Sequence, residues 1–343
     1  MEINYSLIIK LLDMKKFVNV FLLAVILPAF IMTACKDDGG TEPAAKGKFE
    51  TLKSYMIAEG YDLPELLASW VVTPKMVADG GIVADDYSIP GYYVFDIRSS
   101  ADFASGHIKG SINVVLTDIL IKANEVGTDK PILVVCFSGQ TASRGVMALR
   151  LSGYPDAQVM KFGLSYWNPH FDLWTAKVAD IAVGNPNWTF DAAPNMPVND
   201  FPTWETTSTD GAEILANNVT TMLAASGWIK SSADILAAPS DYKIYNFWAA
   251  ADYLALGHYV GAYQIQPISL AGDVVKGFPT ADEFQVYCYT GQTSAFTTAW
   301  LQVLGYNATS IGNGVNSLSW TALDESGKPA WHHSFDYEYV TAK

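Results

Sequence analysis

The sequence predicts an α/β protein of two successive domains, each a doubly wound, mainly parallel sheet flanked by helices. Three observations lead there. The chain repeats itself at a spacing of about 150 residues, each copy alternates apolar runs of strand type with segments of helical spacing, and a proline-rich stretch separates the copies. At 343 residues, with 50% apolar and 16% charged residues, the chain has the length and composition for two globular domains. Its net charge of −14 argues against a nucleic-acid partner, which would need clustered Lys and Arg.

Residues 1–34 read as an export signal rather than as part of the fold. Lys15 and Lys16 precede an apolar run over 17–31, broken only by Asn19 and Pro28. A run of that length suits a signal core and is short for a membrane span of roughly 20 residues. Met14 is a candidate start for a more ordinary signal. Met32-Thr33-Ala34 then leads to Cys35 and an abrupt Lys36-Asp37-Asp38. Small residues before a cysteine at the end of such a core resemble the bacterial lipoprotein cleavage box, with Met32 in place of the usual Leu. The resemblance implies lipid on Cys35, attachment to a membrane through it, and a place in the cell envelope at the outer membrane. The acidic residues after Cys35 resemble a surface-export tag. The alternative is an uncleaved anchor helix with a chance cysteine. Loss of residues 1–34 removes three Lys and two acids and leaves a mature charge of −15.

The repeat sets the domain bounds: a tether over 35–48, a first domain over 49–185, a linker over 186–208 and a second domain over 209–343. The linker is extended by Pro186, Pro194, Pro197 and Pro202. Cys136-Phe137-Ser138-Gly139-Gln140-Thr141-Ala142 returns as Cys288-Tyr289-Thr290-Gly291-Gln292-Thr293-Ser294. Gly106-His107 returns as Gly257-His258, Gly153-Tyr154 as Gly305-Tyr306, and Trp167 as Trp320, at offsets between 151 and 153. The run over 132–135 has the continuous apolar character of a strand buried on both faces. The runs over 92–95 and 244–247 read as earlier strands. Helical spacing over 141–152 and 293–304 stops at Gly153 and Gly305, as a left-handed cap would require. Thr73-Pro74 and Ser231-Ser232 are predicted to start short helices.

Chemistry concentrates on the two cysteines. Each follows a predicted strand and precedes a glycine-containing loop and a helix, the edge of a parallel sheet where α/β folds hold ligands. A tight loop at a helix N-terminus turns several N–H groups inward, with the helix dipole adding to them. Such a cradle favours thiolate, lowers the pKa below the free value of about 8.5, and suits a nucleophile or an anion. The cradles are Phe137, Ser138, Gly139, Gln140, Thr141 and Ala142 around Cys136, and Tyr289, Thr290, Gly291, Gln292, Thr293 and Ser294 around Cys288.

Asp96-x-Arg98, then Phe103-x-x-Gly106-His107-Ile108-x-Gly110-x-x-Asn113, then Cys136-x-x-Gly139-x-Thr141-Ala142, resembles the rhodanese domain. Both halves carry the blocks, and the tandem layout is similar to the two-domain thiosulfate and mercaptopyruvate sulfurtransferases. The resemblance implies two rhodanese-like domains in which a loop cysteine takes a sulfane sulfur from a small donor. The resulting persulfide passes that sulfur to a small thiol, cyanide or a protein acceptor, with no metal or organic cofactor. It makes Cys136 the principal and Cys288 the accessory site. The second copy departs from the pattern with Asn246 and Trp248 in the places of Asp96 and Arg98, and with Gln264 near that of Asn113.

Other readings compete. A cysteine phosphatase needs Arg after five loop residues, where this chain has Ala142 and Ser294, and Arg144 falls two residues too far along. A non-catalytic binding or scaffold lipoprotein would keep both cysteines as small core residues. A redox pair between Cys136 and Cys288 is the third. Asp96 and Arg98 are expected to form a structural ion pair beside the loop. His107 and His258 are expected to serve packing, Trp167, Trp174, Trp320 and Trp331 core or interface contacts, and His332-His333 a surface turn rather than a metal site. Gly139 and Gly291 are expected to matter for backbone geometry rather than direct contact.

Overall fold

The computed structural model describes residues 47–272 and 274–342. The predicted export signal, Cys35 and nearly all of the tether lie outside the described residues. Among the described residues no helix is long and apolar enough to cross a membrane.

The first half runs α1 (Lys48–Ala58), α2 (Leu63–Leu66), β1 (Val71–Val72), β2 (Tyr93–Asp96), α3 (Ser100–Ser105), β3 (Ile112–Asn113), α4 (Ile119–Val126), β4 (Ile132–Val135), α5 (Gln140–Leu151) and β5 (Gln158–Met160). Next come β6 (Trp188–Thr189), α6 (Gly211–Ala224), β7 (Ile229–Lys230), α7 (Ser232–Ala237), β8 (Ile244–Asn246) and α8 (Ala250–Leu256). The second half continues with β9 (His258–Tyr259), β10 (Tyr263–Gln264), β11 (Phe284–Tyr287), α9 (Gln292–Val303), β12 (Ala308–Ile311) and α10 (Trp320–Glu325). Each half builds a five-stranded sheet, ordered β3-β2-β4-β5-β1 and β10-β8-β11-β12-β7, and every pairing in both is parallel. The two orders are one topology. The sequence repeat is therefore a repeat of fold, a pair of mainly parallel α/β sheets flanked by helices.

Burial explains the composition of the strands. Along β4, Ile132 and Val134 enter a core that spans both halves, while Leu133 and Val135 enter a second core on the other face of the sheet. A strand covered on both faces has no use for polar alternation. In the shared core α5 packs on α9 and α1 on α6, bringing Phe49 and Met56 together with Ile214 and Met222. The chain end also crosses back. Phe335 and Tyr337 donate main-chain N–H to Tyr166 and Trp167, and Val340 bridges His107. Trp331 and Trp174 meet in one small cluster with Phe162.

Local signals hold at most positions. Ser231 caps α7 by accepting from the Asp234 N–H at 3.3 Å. Gly153 and Gly305 follow α5 and α9 with φ of +89° and +90°. Two expectations are corrected. Thr73-Pro74 starts no helix: the chain stays irregular to Met76, which bridges Val83, and only a 3₁₀ turn follows over Val77–Asp79. Trp167 does not correspond to Trp320 either. Matching short turns, Gly163–Tyr166 and Gly314–Ser317, place Trp167 opposite Leu318.

Candidate active site: the paired cysteine loops

β4 and β11 deliver Cys136 and Cys288 directly past their last residues, and the loops end at Gly139 and Gly291, which cap α5 and α9. Both glycines are left-handed, with φ of +81° and +76°, a conformation that disfavours a side chain. The tight turn aims main-chain donors at sulfur. Gly139 N–H lies 3.2 Å from Cys136 Sγ, and the N–H groups of Ala142, Ser138 and Thr141 also stabilise its charged form. Cys288 Sγ accepts from the Ser294 N–H at 3.3 Å and lies 3.6 Å from Ser294 Oγ.

Neither thiol is in a disulfide, and they are 6% and 1% exposed. Burial pushes the Cys136 thiol up, against the pull of its four N–H donors. The expected lowering of its pKa is thereby corrected: removing water costs the charged form more than the cradle returns.

The rims differ. Phe137, Ser138 and Thr141 are half-buried around the first loop with Ala142 beneath them; around the second, Tyr289 and Thr293 are half-buried, and Thr290 and Ser294 are buried. Beside the first loop Asp96 and Arg98 form the expected buried ion pair, at 2.6 Å. The Arg98 guanidinium lies over Phe137, 4.8 Å from the ring centroid. In the second half Trp248 takes its place, stacked on Tyr289 at 5.0 Å and 6°. Asn113 and Gln264 occupy matching strand positions, bonding the Arg98 and Trp248 carbonyls at 2.9 and 2.7 Å.

Two neighbours of the second loop were not found from sequence. Tyr289 donates its hydroxyl to Asp252 at 2.5 Å, and Lys328 pairs with the same carboxylate at 2.7 Å. Lys328 lies far beyond the motif, so no local signal marks it. Arg144, the cation nearest the first loop in sequence, turns away instead. It donates to the Met222 carbonyl and Gln302 Oε1, lies 4.6 Å from the Trp228 ring, and has its pKa pulled down to about 10 by burial. His107 and His258 stack on Phe103 and Tyr253 and pair their Nδ1 with those residues' carbonyls, at 2.8 and 3.1 Å. They fasten the ends of α3 and α8. His332 faces Asp324 at 3.2 Å.

Gln140 and Gln292 do not turn their side chains towards the cysteine beside them. Each reaches a main-chain N–H of the opposite half, Asn313 at 2.9 Å and Phe162 at 2.8 Å. Gly139 and Gly291 accordingly do have a contact role. A Cβ at either would collide with the opposing glutamine amide.

Comparison with known proteins matches residues 79–170 to the family described as the rhodanese-like domain. The uncharacterized protein YibN of Escherichia coli is 40% identical over 79 residues, which span 22% of this chain and 54% of that protein, little more than half its length. The thiosulfate sulfurtransferase GlpE of Pseudomonas fluorescens is 30% identical over 96 residues, covering 28% of this chain and 82% of that protein. Among solved structures, a thiosulfate sulfurtransferase from Pseudomonas aeruginosa aligns over 83% of this chain and 48% of its own, at 13% identity and a TM-score of 0.27.

Proposed function

The chain belongs to the rhodanese-like family, and from that premise we propose that it is a sulfurtransferase carrying a sulfane sulfur on Cys136, with Cys288 as an accessory site. One observation supports this above the others: a free thiol at a strand end with four main-chain N–H groups set to stabilise negative charge on it. The Cys136 thiolate attacks the outer sulfur of a donor such as thiosulfate, a sulfur–sulfur bond forms, and sulfite leaves with the electron pair of the bond that breaks. With mercaptopyruvate the carbon–sulfur bond breaks instead, and the thiol proton passes to carbon to give pyruvate. The persulfide then meets a small thiol, cyanide or a protein thiol, which takes its terminal sulfur and returns Cys136 as thiolate. Neither step calls for a metal or an organic cofactor.

A non-catalytic scaffold is the competing reading, and the burial of both thiols favours it. Intact mass separates the two. After incubation with thiosulfate or mercaptopyruvate, a sulfurtransferase gains one sulfur atom, loses it to cyanide as thiocyanate, and fails to gain it once Cys136→Ser is made. A scaffold takes up nothing from either donor.

We also propose that the protein works at the cell envelope, held at the outer membrane by lipid on Cys35. Cys35→Ser should move it from the membrane fraction to the soluble one, and unchanged fractionation would refute the anchor.

A further inference from the structure

The backing of each cysteine loop is a short turn that enters with a left-handed residue. In the first half Phe162 has φ of +57° and Gly163 follows it, so close to the loop that a Cβ there would strike the Cys136 carbonyl. Leu164 N–H donates to that carbonyl at 2.8 Å and Ser165 N–H to the Phe137 carbonyl at 2.9 Å. The second half repeats this. Asn313 has φ of +59°, Gly314 presses on the Cys288 carbonyl, and Val315 and Asn316 donate to the Cys288 and Tyr289 carbonyls at 3.1 and 3.2 Å. A non-glycine residue held left-handed needs its surroundings to fix it there.

What fixes it comes from the other half. Gln292 Oε1 accepts the Phe162 N–H at 2.8 Å while its Nε2 donates to the Met160 carbonyl at 3.2 Å, so one amide pins both ends of the strand exit behind Cys136. The same amide fills the space left by the absent side chain of Gly139, whose N–H donates to Cys136 Sγ. Gln140 Oε1 accepts the Asn313 N–H at 2.9 Å and fills the space at Gly291. Both glutamines are almost fully buried, at 4% and 3% exposed, where an unmade hydrogen bond is expensive. We propose that the two cysteine loops are cross-braced, with Gln292 a positioning residue for Cys136 and Gln140 a positioning residue for Cys288. The sulfur-facing N–H groups of each loop then depend on a residue that belongs to the other. The proposal concerns placement of the thiols and stands apart from sulfur transfer.

Gln292 gives the cleaner test, because Gln140 also donates to Ser138 Oγ in its own loop, at 3.1 Å. Gln292→Met keeps the volume and loses both hydrogen bonds. Iodoacetamide alkylation, in which thiolate displaces iodide, is followed against pH by intact mass, with Cys288→Ser present to read Cys136 and Cys136→Ser present to read Cys288. The expected result is crossed: the Cys136 midpoint rises by about half a pH unit or more, roughly a threefold loss of thiolate below the midpoint. The Cys288 midpoint stays put although the substitution lies in its own loop. An unmoved Cys136 midpoint, or equal movement of both, would overturn the proposal. Should the methionine variant fail to fold, Gln292→Asn, one methylene too short to reach Phe162, is read by the same two outcomes.

Discussion

The two cysteine loops share one backbone and differ in what surrounds it. Both end in a left-handed glycine, start a helix with Gln, and rest on a turn from the next strand. Around the first, charge is buried and paired: Asp96 holds Arg98, and Arg98 covers Phe137. Around the second, Asn246 and Trp248 fill the same places, and the ring of Tyr289 meets an indole instead of a guanidinium. Its thiol is the more enclosed, at 1% against 6% exposed, and has a hydroxyl neighbour, Ser294, where the first loop has Ala142. The backbone nest thus survives an exchange of its whole flanking chemistry. The side chains around it set access and charge.

The largest effect on this comparison should come from Asp96→Asn, which gives the first half the second half's residue without its partner. Arg98 then keeps the Gly106 carbonyl, at 2.5 Å, but loses its carboxylate while still buried. Removing one member of a buried pair typically costs about 3–5 kcal/mol. The double variant Asp96→Asn with Arg98→Trp, which copies Asn246 and Trp248, should cost clearly less in urea unfolding, because the indole can stack on Phe137 as Trp248 does on Tyr289. Equal losses in the single and double variants would show that the two surroundings are not interchangeable solutions.

What sequence made legible in this pair was local. The strand runs, the helices over 140–151 and 292–303, their glycine stops and the Asp96–Arg98 pair all follow from spacing within a few residues or from the family pattern. What it hid depends on contacts between distant segments. Arg144 follows the first loop closely in sequence, and sequence does not show that α6 and α9 draw its guanidinium away from it. Trp167 and Trp320 were matched by identity, though the intervening turns put them two residues out of step. The cradle argument weighed donors around Cys136 without the burial that opposes them. The glutamine brace had a faint signal: Gln is retained in both copies while the residues just after each cysteine change. Identity alone could not say that the side chains cross.

A smaller effect tests burial against the cradle at Cys136 itself. Burial raises this thiol above its ordinary range, so the folded state holds the proton more tightly than the unfolded chain does. The stability this contributes is fully present below the unfolded thiol pKa of about 8.5 and is lost as pH rises through the folded value. Between neutral pH and pH 10 the wild-type chain should therefore lose more unfolding free energy than Cys136→Ala does. Alkylation of Cys136, read with Cys288→Ser present, should go on climbing at pH values where an exposed thiol has levelled off. A midpoint below that of a free thiol would reverse the order of forces, with the four N–H groups outweighing the loss of water. The resting cysteine would then be a standing thiolate rather than a protonated thiol awaiting its donor.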